Sequence, residues 1–167
     1  MRDDTTKWDA PLGNERAIIT GDGFELTLLP TVRQTLVSGP IATCLAVSGQ
    51  KQAFGWPDIV KGQPYALRLR RDRLLVVNGG EQAEGWDERG VAVSDVSGAY
   101  SVIEVNGPQA FDLLNSGADL NIDLASGSVA RQFHGFATLI YRWQSQTCYR
   151  LHIQRCYLEA IWKHLQG

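Results

Sequence analysis

The sequence has few of the residues and segments that mark several large protein classes. It contains three cysteines, Cys44, Cys148 and Cys156, and this small, odd number argues for reduced thiols and against a disulfide framework. No apolar run approaches the roughly 18 residues of a membrane-spanning helix, and the first residues lack the apolar segment of a secretory signal. The net charge of −2 and the pI of about 5.9 give no overall attraction to nucleic acid or to an anionic membrane. We therefore expect a cytoplasmic protein with neither of these partners.

Local motifs for common catalytic and cofactor sites are also missing. Gly21-Asp-Gly23 begins like a dinucleotide-binding loop, but no third glycine follows at the required spacing and no strand–helix–strand unit surrounds it. No glycine-rich phosphate loop ends in Gly-Lys-Ser/Thr, and no Gly-x-Ser-x-Gly turn is present. The sequence therefore nominates no catalytic residue and no cofactor-binding residue in this chain.

Two cysteines and two histidines near the C-terminal end of the sequence, Cys148, His152, Cys156 and His164, invite comparison with a metal site. If residues 147–153 form a strand, Cys148 and His152 share a face but lie roughly 13 Å apart along it. A zinc ion holds its ligands within about 2.3 Å. We therefore favour scattered buried thiols and surface imidazoles over a metal site.

The composition that is present suits one globular domain. Of the 167 residues, 44% are hydrophobic and 20% are charged, which is ordinary for a chain that buries one core. Residues 1–16 are polar and form a predicted N-terminal arm, either a frayed end or a docking segment. Residues 17–167 form the predicted single domain.

Hydrophobic spacing predicts alternating strands and short helices along this domain. Period-two patterns and short apolar runs predict strands over residues 24–29, 66–77 (two strands around a charged turn), 100–105, 129–133, 136–143 and 147–153. Helical spacing predicts helices over 40–47, from 108 to a C-cap at 117, and over 157–165, with a weak helix over 81–88. The last predicted helix has an apolar stripe of Leu158, Ile161, Trp162 and Leu165.

Two segments of the sequence are similar to each other, and this similarity, the sequence echo, indicates how the predicted elements combine. Residues 37–49 and 105–117 share seven of thirteen positions, including a Gly-Pro pair before the helix and a glycine after it. Each half then reads strand, helix, strand pair, helix. The predicted fold class is α+β, with duplicated halves at about 24–88 and 91–167 that form antiparallel sheets with helices packed on them. Accidental similarity of two Gly-Pro helix starts is the alternative.

Two sets of side chains are candidate contact surfaces. Arg68, Arg70, Arg71 and Arg73 form the basic run. Such a run suits an anionic group or an acidic partner, but a solvated hairpin tip with Asp72 in the turn is the favoured interpretation.

The sequence also has five tryptophans: Trp8, Trp56, Trp86, Trp143 and Trp162. Trp162 falls on the predicted core stripe. Trp8 and Trp56 lie in polar or proline-rich stretches, so they serve either as exposed interface anchors or in local loop packing.

The second half resembles the gamma subunits of heterotetrameric sarcosine oxidases. The resemblance rests on an ordered series: residues 93–97, the Val105-Asn-Gly-Pro-Gln-Ala110 helix start, 113–114, 117–120, 127–130 and the ending 149–165. Those subunits belong with the folate-binding domain of aminomethyltransferase, the T-protein of the glycine cleavage system. The resemblance covers residues 90–167 well and residues 24–88 by layout.

The resemblance implies a non-catalytic subunit that stabilises a larger folate-binding subunit. The implied complex demethylates sarcosine oxidatively to glycine and passes the one-carbon unit to tetrahydrofolate. The implied partners are alpha, beta and delta subunits, which would carry FAD, FMN, NAD, zinc and tetrahydrofolate, with none of these in this chain. The alternative is a free-standing protein that binds a small folate-like ligand without a partner complex.

One departure from active aminomethyltransferases supports the non-catalytic interpretation. Those enzymes carry a carboxylate in the strand pair that follows this helix, where it engages the folate. The comparable segment here, Gly135–Trp143, contains no acidic residue, and a carboxylate is the natural proton acceptor for that chemistry. Asp95 is present, but its Asp-x-Ser context predicts a cap or turn anchor.

Overall fold

The computed structural model describes residues 18–165, which form two stacked sheets with helices on their outer faces. The predicted N-terminal arm, with Trp8, lies outside the described residues. The first sheet contains, in spatial order, β1 (Ile18–Gly21), β2 (Phe24–Leu28), β10 (Tyr100–Asn106), β13 (Cys148–Gln154), β12 (Phe136–Trp143) and β11 (Ala130–Phe133). The short β5 (Ile59–Val60) adds to β12 in parallel.

The second sheet contains, in order, β4 (Ala53–Phe54), β6 (Tyr65–Arg70), β7 (Arg73–Val77), β3 (Gln34–Ser38), β9 (Val91–Asp95) and β8 (Gly85–Asp87). Its pairings are antiparallel except for β4 with β6. The three helices of residues 18–165 are α1 (Ile41–Ser48), α2 (Ala110–Asn115) and α3 (Leu158–Leu165), with a 3-10 turn over Arg155–Tyr157. The α+β class is confirmed, although each sheet includes one parallel pairing that the prediction of antiparallel sheets lacks.

The side chains of each strand alternate between its two faces and form three buried clusters. The layers therefore follow the order helix, sheet, sheet, helix. One face of the first sheet packs on α2 and α3 through residues such as Ile103, Leu151 and Trp162. Its other face meets the second sheet through residues such as Tyr141 and Leu75. The outer face of the second sheet packs on α1, with Cys44 at its centre. The predicted stripe on the last helix is confirmed, because all four of its residues are buried.

The two halves of the chain, which are residues 18–79 and 80–165 when the β8–β9 hairpin is kept together, are interleaved. The β1–β2 hairpin precedes β3 in sequence but pairs with β10 of the other sheet. The β8–β9 hairpin precedes β10 but pairs with β3. Both sheets therefore have the same order of strands. A hairpin lies at one edge, and next to it lies the strand that precedes a helix. Next to that strand lies a hairpin formed by later strands of the same half as the helix. The weak helix predicted over 81–88 is wrong, since residues 85–87 form β8 and pair with β9.

The two glycines of the sequence echo have similar backbone conformations, although α1 begins directly after Pro40 and α2 begins two residues after Pro108. Gly39 and Gly107 have φ values of 150° and 138°, a region that residues with a Cβ rarely adopt. A Cβ on Gly39 would meet Val91 in the β8–β9 hairpin, and one on Gly107 would collide with the Gly23 carbonyl in the β1–β2 hairpin. Each glycine thus lets its chain pass close to the hairpin that the other half supplies.

The C-terminal ends of α1 and α2 lie at or next to the predicted caps, whereas α2 begins at Ala110, two residues after the predicted start at 108. Gly49 adopts a left-handed conformation after α1, and its N–H and that of Gln50 bond to carbonyls of the last turn, which is a Schellman-type end. The C-cap of α2 is Ser116, one residue before the predicted Gly117. Among the helices of residues 18–165, none has the length and apolar character that crossing a membrane requires.

Candidate functional site

A chain of hydrogen-bonded side chains crosses the interior between the two sheets. The hydroxyl of Tyr65 on β6 lies 2.6 Å from that of Tyr141 on β12, and the Tyr141 hydroxyl lies 2.9 Å from Nε2 of His152 on β13. The other ring nitrogen of His152, Nδ1, lies 2.6 Å from Oε1 of Gln34 on β3. The Gln34 amide N–H donates to the carbonyl of Tyr100 at 3.1 Å. Residues far apart in sequence thus join both sheets by polar contacts.

The chemistry of these groups determines which atom donates in each hydrogen bond and shows that His152 is neutral. Because the Gln34 amide nitrogen is used on a carbonyl, its Oε1 can only accept, so Nδ1 of His152 carries the proton. Nε2 then accepts from the Tyr141 hydroxyl, which itself accepts from Tyr65. Burial, with the nearby positive charge of Arg150, lowers the pKa of His152 to about 3. Both ring nitrogens of the neutral imidazole are occupied by protein groups, so neither offers a lone pair to a ligand.

An ion pair between Arg150 and Glu104 lies beside these hydrogen-bonded side chains. Nε and Nη2 of Arg150 each lie 2.9 Å from Oε2 of Glu104 on the adjacent strand β10, and the guanidinium centre lies 3.6 Å from the ring centre of Trp143. A carboxylate held in this way is neutralised by a fork of charged hydrogen bonds. Glu104 was not predicted from the sequence. The available signal was its position between the buried Ile103 and Val105, because alternation places Glu104 on the opposite face of β10.

The four residues considered as metal ligands lie in different environments. Cys148 is buried, and burial raises its pKa to about 11. Cys156 is exposed, and the His164 ring packs on that of His134 with centres 3.7 Å apart. Within residues 18–165, no group of three or more His, Cys, Asp or Glu could hold a metal ion.

Two expectations for these residues are corrected. His152, expected at the surface, is fully buried, because a sheet packs on one face of β13 and helices pack on the other. Cys156, expected to be buried, lies in the exposed 3-10 turn.

A cleft of about 500 Å³ opens beside Trp56 on the first sheet, and its lining includes Asp119, Asn121, Ser126 and Arg131. Trp56 is 2% exposed. Its indole N–H donates to the Asn121 carbonyl at 2.7 Å, and its backbone exchanges two hydrogen bonds with Ser126. Of the two alternatives for Trp56, local packing is therefore correct. The tryptophan holds the segment between α2 and β11 against the sheet, and that segment forms the wall of the cleft.

The lining of this cleft includes two charged side chains. The Arg131 guanidinium lies 5.8 Å from the centre of the Trp56 ring. Burial lowers the pKa of Arg131, and the charge of Asp119 opposes that effect. The Nη1 of Arg131 donates to the carbonyls of Ser128 and Ala130 at 3.1 and 2.7 Å. This cation and the Asp119 carboxylate suit a ligand that has an anionic or zwitterionic group.

Asp95 has the structural role that the sequence predicts. Its Oδ1 accepts hydrogen bonds from the backbone N–H and the hydroxyl of Ser97 at 2.8 and 2.6 Å. These bonds lower its pKa. The Ser97 hydroxyl oxygen in turn accepts the Gln34 N–H at 2.9 Å, so the turn after β9 is tied to the start of β3.

The basic run forms a hairpin tip, as the favoured interpretation states. Arg70, Arg71 and Asp72 at the β6–β7 turn are exposed, and the Asp72 carbonyl accepts the Gly39 N–H at 2.8 Å. Arg68 is partly covered, and its carbonyl accepts the Val129 N–H at 2.9 Å. The hairpin therefore docks on the segment before β11 while its tip stays in solvent.

No protein-family model and no curated protein matches the chain. Solved structures do match. One is a chain of the heterotetrameric sarcosine oxidase from Corynebacterium sp. U-96, solved in complex with pyrrole 2-carboxylate; its TM-score is 0.71 and its sequence identity is 17%, over 89% of this chain and 85% of that chain. The two coverages mean that the chains are similar in length. This chain therefore has the fold of a similarly small chain of a heterotetrameric sarcosine oxidase, which is the relationship that the sequence resemblance predicts.

Proposed function

We propose that this chain is the non-catalytic, gamma-type subunit of a heterotetrameric sarcosine oxidase-like complex. The observation that carries the proposal is the structural match, which spans 89% of this chain and 85% of the matched chain at a TM-score of 0.71. A match over nearly the whole of both chains fits an equivalent subunit better than it fits a shared substructure. The ordered sequence resemblance over residues 90–167 points to the same subunit.

In this proposal the chain stabilises the larger folate-binding alpha subunit in the cytoplasm. The complex, with beta and delta subunits, converts sarcosine to glycine and transfers the one-carbon unit to tetrahydrofolate. FAD, FMN, NAD, zinc and tetrahydrofolate are held by the other chains. This chain supplies surface rather than reacting groups.

The interior chemistry supports a non-catalytic role. The His152 ring and the Tyr141 hydroxyl are used within the hydrogen-bonded chain, and Glu104 is paired with Arg150. Burial raises the pKa of Tyr141 well above its usual value, so its proton is firmly held at neutral pH. Gly135–Trp143, where active relatives carry the folate carboxylate, contains no acidic residue.

We also propose that the two halves arose by duplication of one unit and form the folate-binding-domain arrangement. Two observations support this: both sheets have the same order of connected strands, and both Gly-Pro pairs have similar φ values and pack against the exchanged hairpins. Similar local geometry at equivalent positions is unusual for an accidental sequence echo.

Purification of the tagged chain from its native cells tests the subunit role. We expect a co-purifying protein with a flavin absorption spectrum, sarcosine oxidation by that complex, and none by the flavin-free chain alone. Turnover by the isolated chain would contradict the non-catalytic role. Recovery of the chain without any flavoprotein would contradict the subunit role.

The cleft beside Trp56 favours a second candidate, a free-standing binder of a folate-like ligand. Its volume of about 500 Å³ lies in the range of small-molecule sites, and Arg131 is suited to a carboxylate. Calorimetry of the purified chain with a reduced folate tests this. Micromolar binding that Arg131→Gln weakens at least tenfold would favour the binder, and absence of heat would favour the subunit.

A further inference from the structure

The largest exposed hydrophobic side chain of the described residues lies at a sheet edge. Trp86 is 76% exposed and sits in the middle of β8, the last strand of the second sheet. Within residues 18–165, β8 pairs with β9 alone. An exposed edge with a large hydrophobic side chain is a liability that proteins normally cover or blunt.

The sheet pairing explains why Trp86 is not covered within the chain. Trp86 is opposite Ala92 on β9, so the two side chains share a face. Val91 and Val93 point to the other face, where they are buried against α1. On the face of Trp86, Ala92 is half-buried and Ser94 is exposed. Near β3 and β7 this face of the second sheet is covered by the first sheet. At β8 and β9 the same face extends beyond the first sheet and is not covered.

Two exposed carboxylates, Glu84 and Glu88, flank Trp86 two residues before it and two residues after it. Residues 81–95 contain five carboxylates and one arginine, whereas the rest of the chain has thirteen carboxylates against fifteen lysines and arginines. Asp87 pairs with Arg89 at 2.8 Å, and Glu81 pairs with Arg33 at 3.2 Å. Glu84 and Asp95 line an adjoining cleft of about 410 Å³. The segment that carries the indole is thus net acidic, although Asp87 and Asp95 share the face of Val91 and Val93, which is the opposite face of the sheet.

We infer that Trp86, with Glu84, Glu88, Ala92 and Ser94, is the surface through which this chain docks a larger, basic-rimmed protein chain; this inference rests on the proposed function, in which that chain is another subunit of the oxidase. We call these five residues the Trp86 surface. The indole fills an apolar pocket on the partner, and lysine or arginine side chains at the rim of that pocket meet the carboxylates. Tryptophan at the centre of a polar rim is the usual composition of an interface hot spot, and opposite charge sets the partner and the rate of association.

Matched variants of the tagged chain test this surface in the complex purified from native cells. Trp86→Ser is expected to lower the flavin recovered per tagged chain about tenfold or more, the effect of losing a hot-spot residue. Ile122→Ser, on an exposed loop of the opposite sheet, is the control and is expected to stay within about twofold of the wild type. Glu88→Lys is expected to lower recovery at low salt, and Asp123→Lys, which makes the same charge change elsewhere, is not.

The outcomes distinguish a failure of the Trp86 surface from a failure of the proposed subunit role. If the wild type recovers a flavoprotein and Trp86→Ser recovers as much, the surface is wrong and the subunit role stands. If the wild type recovers none, the subunit role fails, and photo-crosslinking from position 86, with position 122 as control, tests the surface alone. A single identified partner linked at 86 through a lysine- or arginine-rich peptide supports the surface, and no link overturns it. A purified dimer that Trp86→Ser makes monomeric would assign the surface to a second copy and overturn the partner.

Discussion

His152 is the residue whose environment most constrains the interior. It has no exposed surface, and its two nitrogens join Tyr141 on one side to Gln34 on the other. A buried imidazole that donates through one nitrogen and accepts through the other is fully satisfied only when it is neutral. Protonation would place a second N–H against the Tyr141 hydroxyl, in a region that already holds the charge of Arg150.

The pH dependence of stability should report this neutral histidine. The folded pKa of His152, about 3, lies below its usual value of 6.5, so its contribution is complete above pH 6.5 and is lost as the pH falls toward 3. Between pH 6.5 and 4.5 the wild type should lose about 2 kcal/mol of unfolding free energy relative to His152→Gln, which cannot titrate. Urea titrations of both proteins across this range measure the difference. A constant difference would mean that the folded state accepts the proton readily.

At this scale the sequence allowed some roles to be predicted and not others. The turn role of Asp95 was predictable because Asp-x-Ser makes its bonds locally, with Ser97 two residues away. The burial of His152 was not, because period-two alternation shows which residues share a face of a strand and leaves open whether both faces are covered. The partners of His152 are 11 and 118 residues away in sequence, and no local pattern connects them.

The helix starts after Gly39 and Gly107 are the elements that define each half. In both, the glycine precedes proline and passes within contact distance of a hairpin from the other half. The sequence echo was detectable because it combines a local requirement, the helix start, with a tertiary one, the close approach. The segment 81–88 shows the reverse case: its polar residues gave a weak helical pattern, but tertiary pairing with β9 makes residues 85–87 a strand.

A substitution at Gly107 should therefore be far more costly than one at an unconstrained glycine. Gly107→Ala would require φ near 138° with a Cβ that collides with the Gly23 carbonyl, and we expect a loss of about 1–3 kcal/mol from backbone strain alone. Gly98→Ala is the matched control, because a Cβ there meets open space. We expect its unfolding free energy to stay within about 0.5 kcal/mol of the wild type. Equal effects of the two substitutions in chemical denaturation would show that the close approach does not matter.

For the whole molecule, the exchange of hairpins makes each sheet depend on both halves of the chain. Leu26 and Leu28 of the first hairpin are buried among residues of the second half, and Val91 and Val93 of the second hairpin are buried among residues of the first. The sequence echo predicted two similar halves. It could not predict the exchange, because the same strands could pair within one half with similar hydrophobic patterns.

This interleaving predicts that neither half folds alone and that the two halves fold together. Cleavage between Gly79 and the exposed Gly80 separates the chain into residues 1–79 and 80–167, and in each fragment one hairpin lacks the strand that it pairs with, β10 for β2 and β3 for β9. Each fragment would also expose the inter-sheet face that the other covers, so we expect poorly dispersed amide NMR spectra for the separate fragments. An equimolar mixture should recover the dispersed spectrum of the intact chain, because every strand pairing and both sheet faces are then restored. A dispersed spectrum and cooperative unfolding of either fragment alone would show that a half is an autonomous unit, contrary to the exchanged pairing.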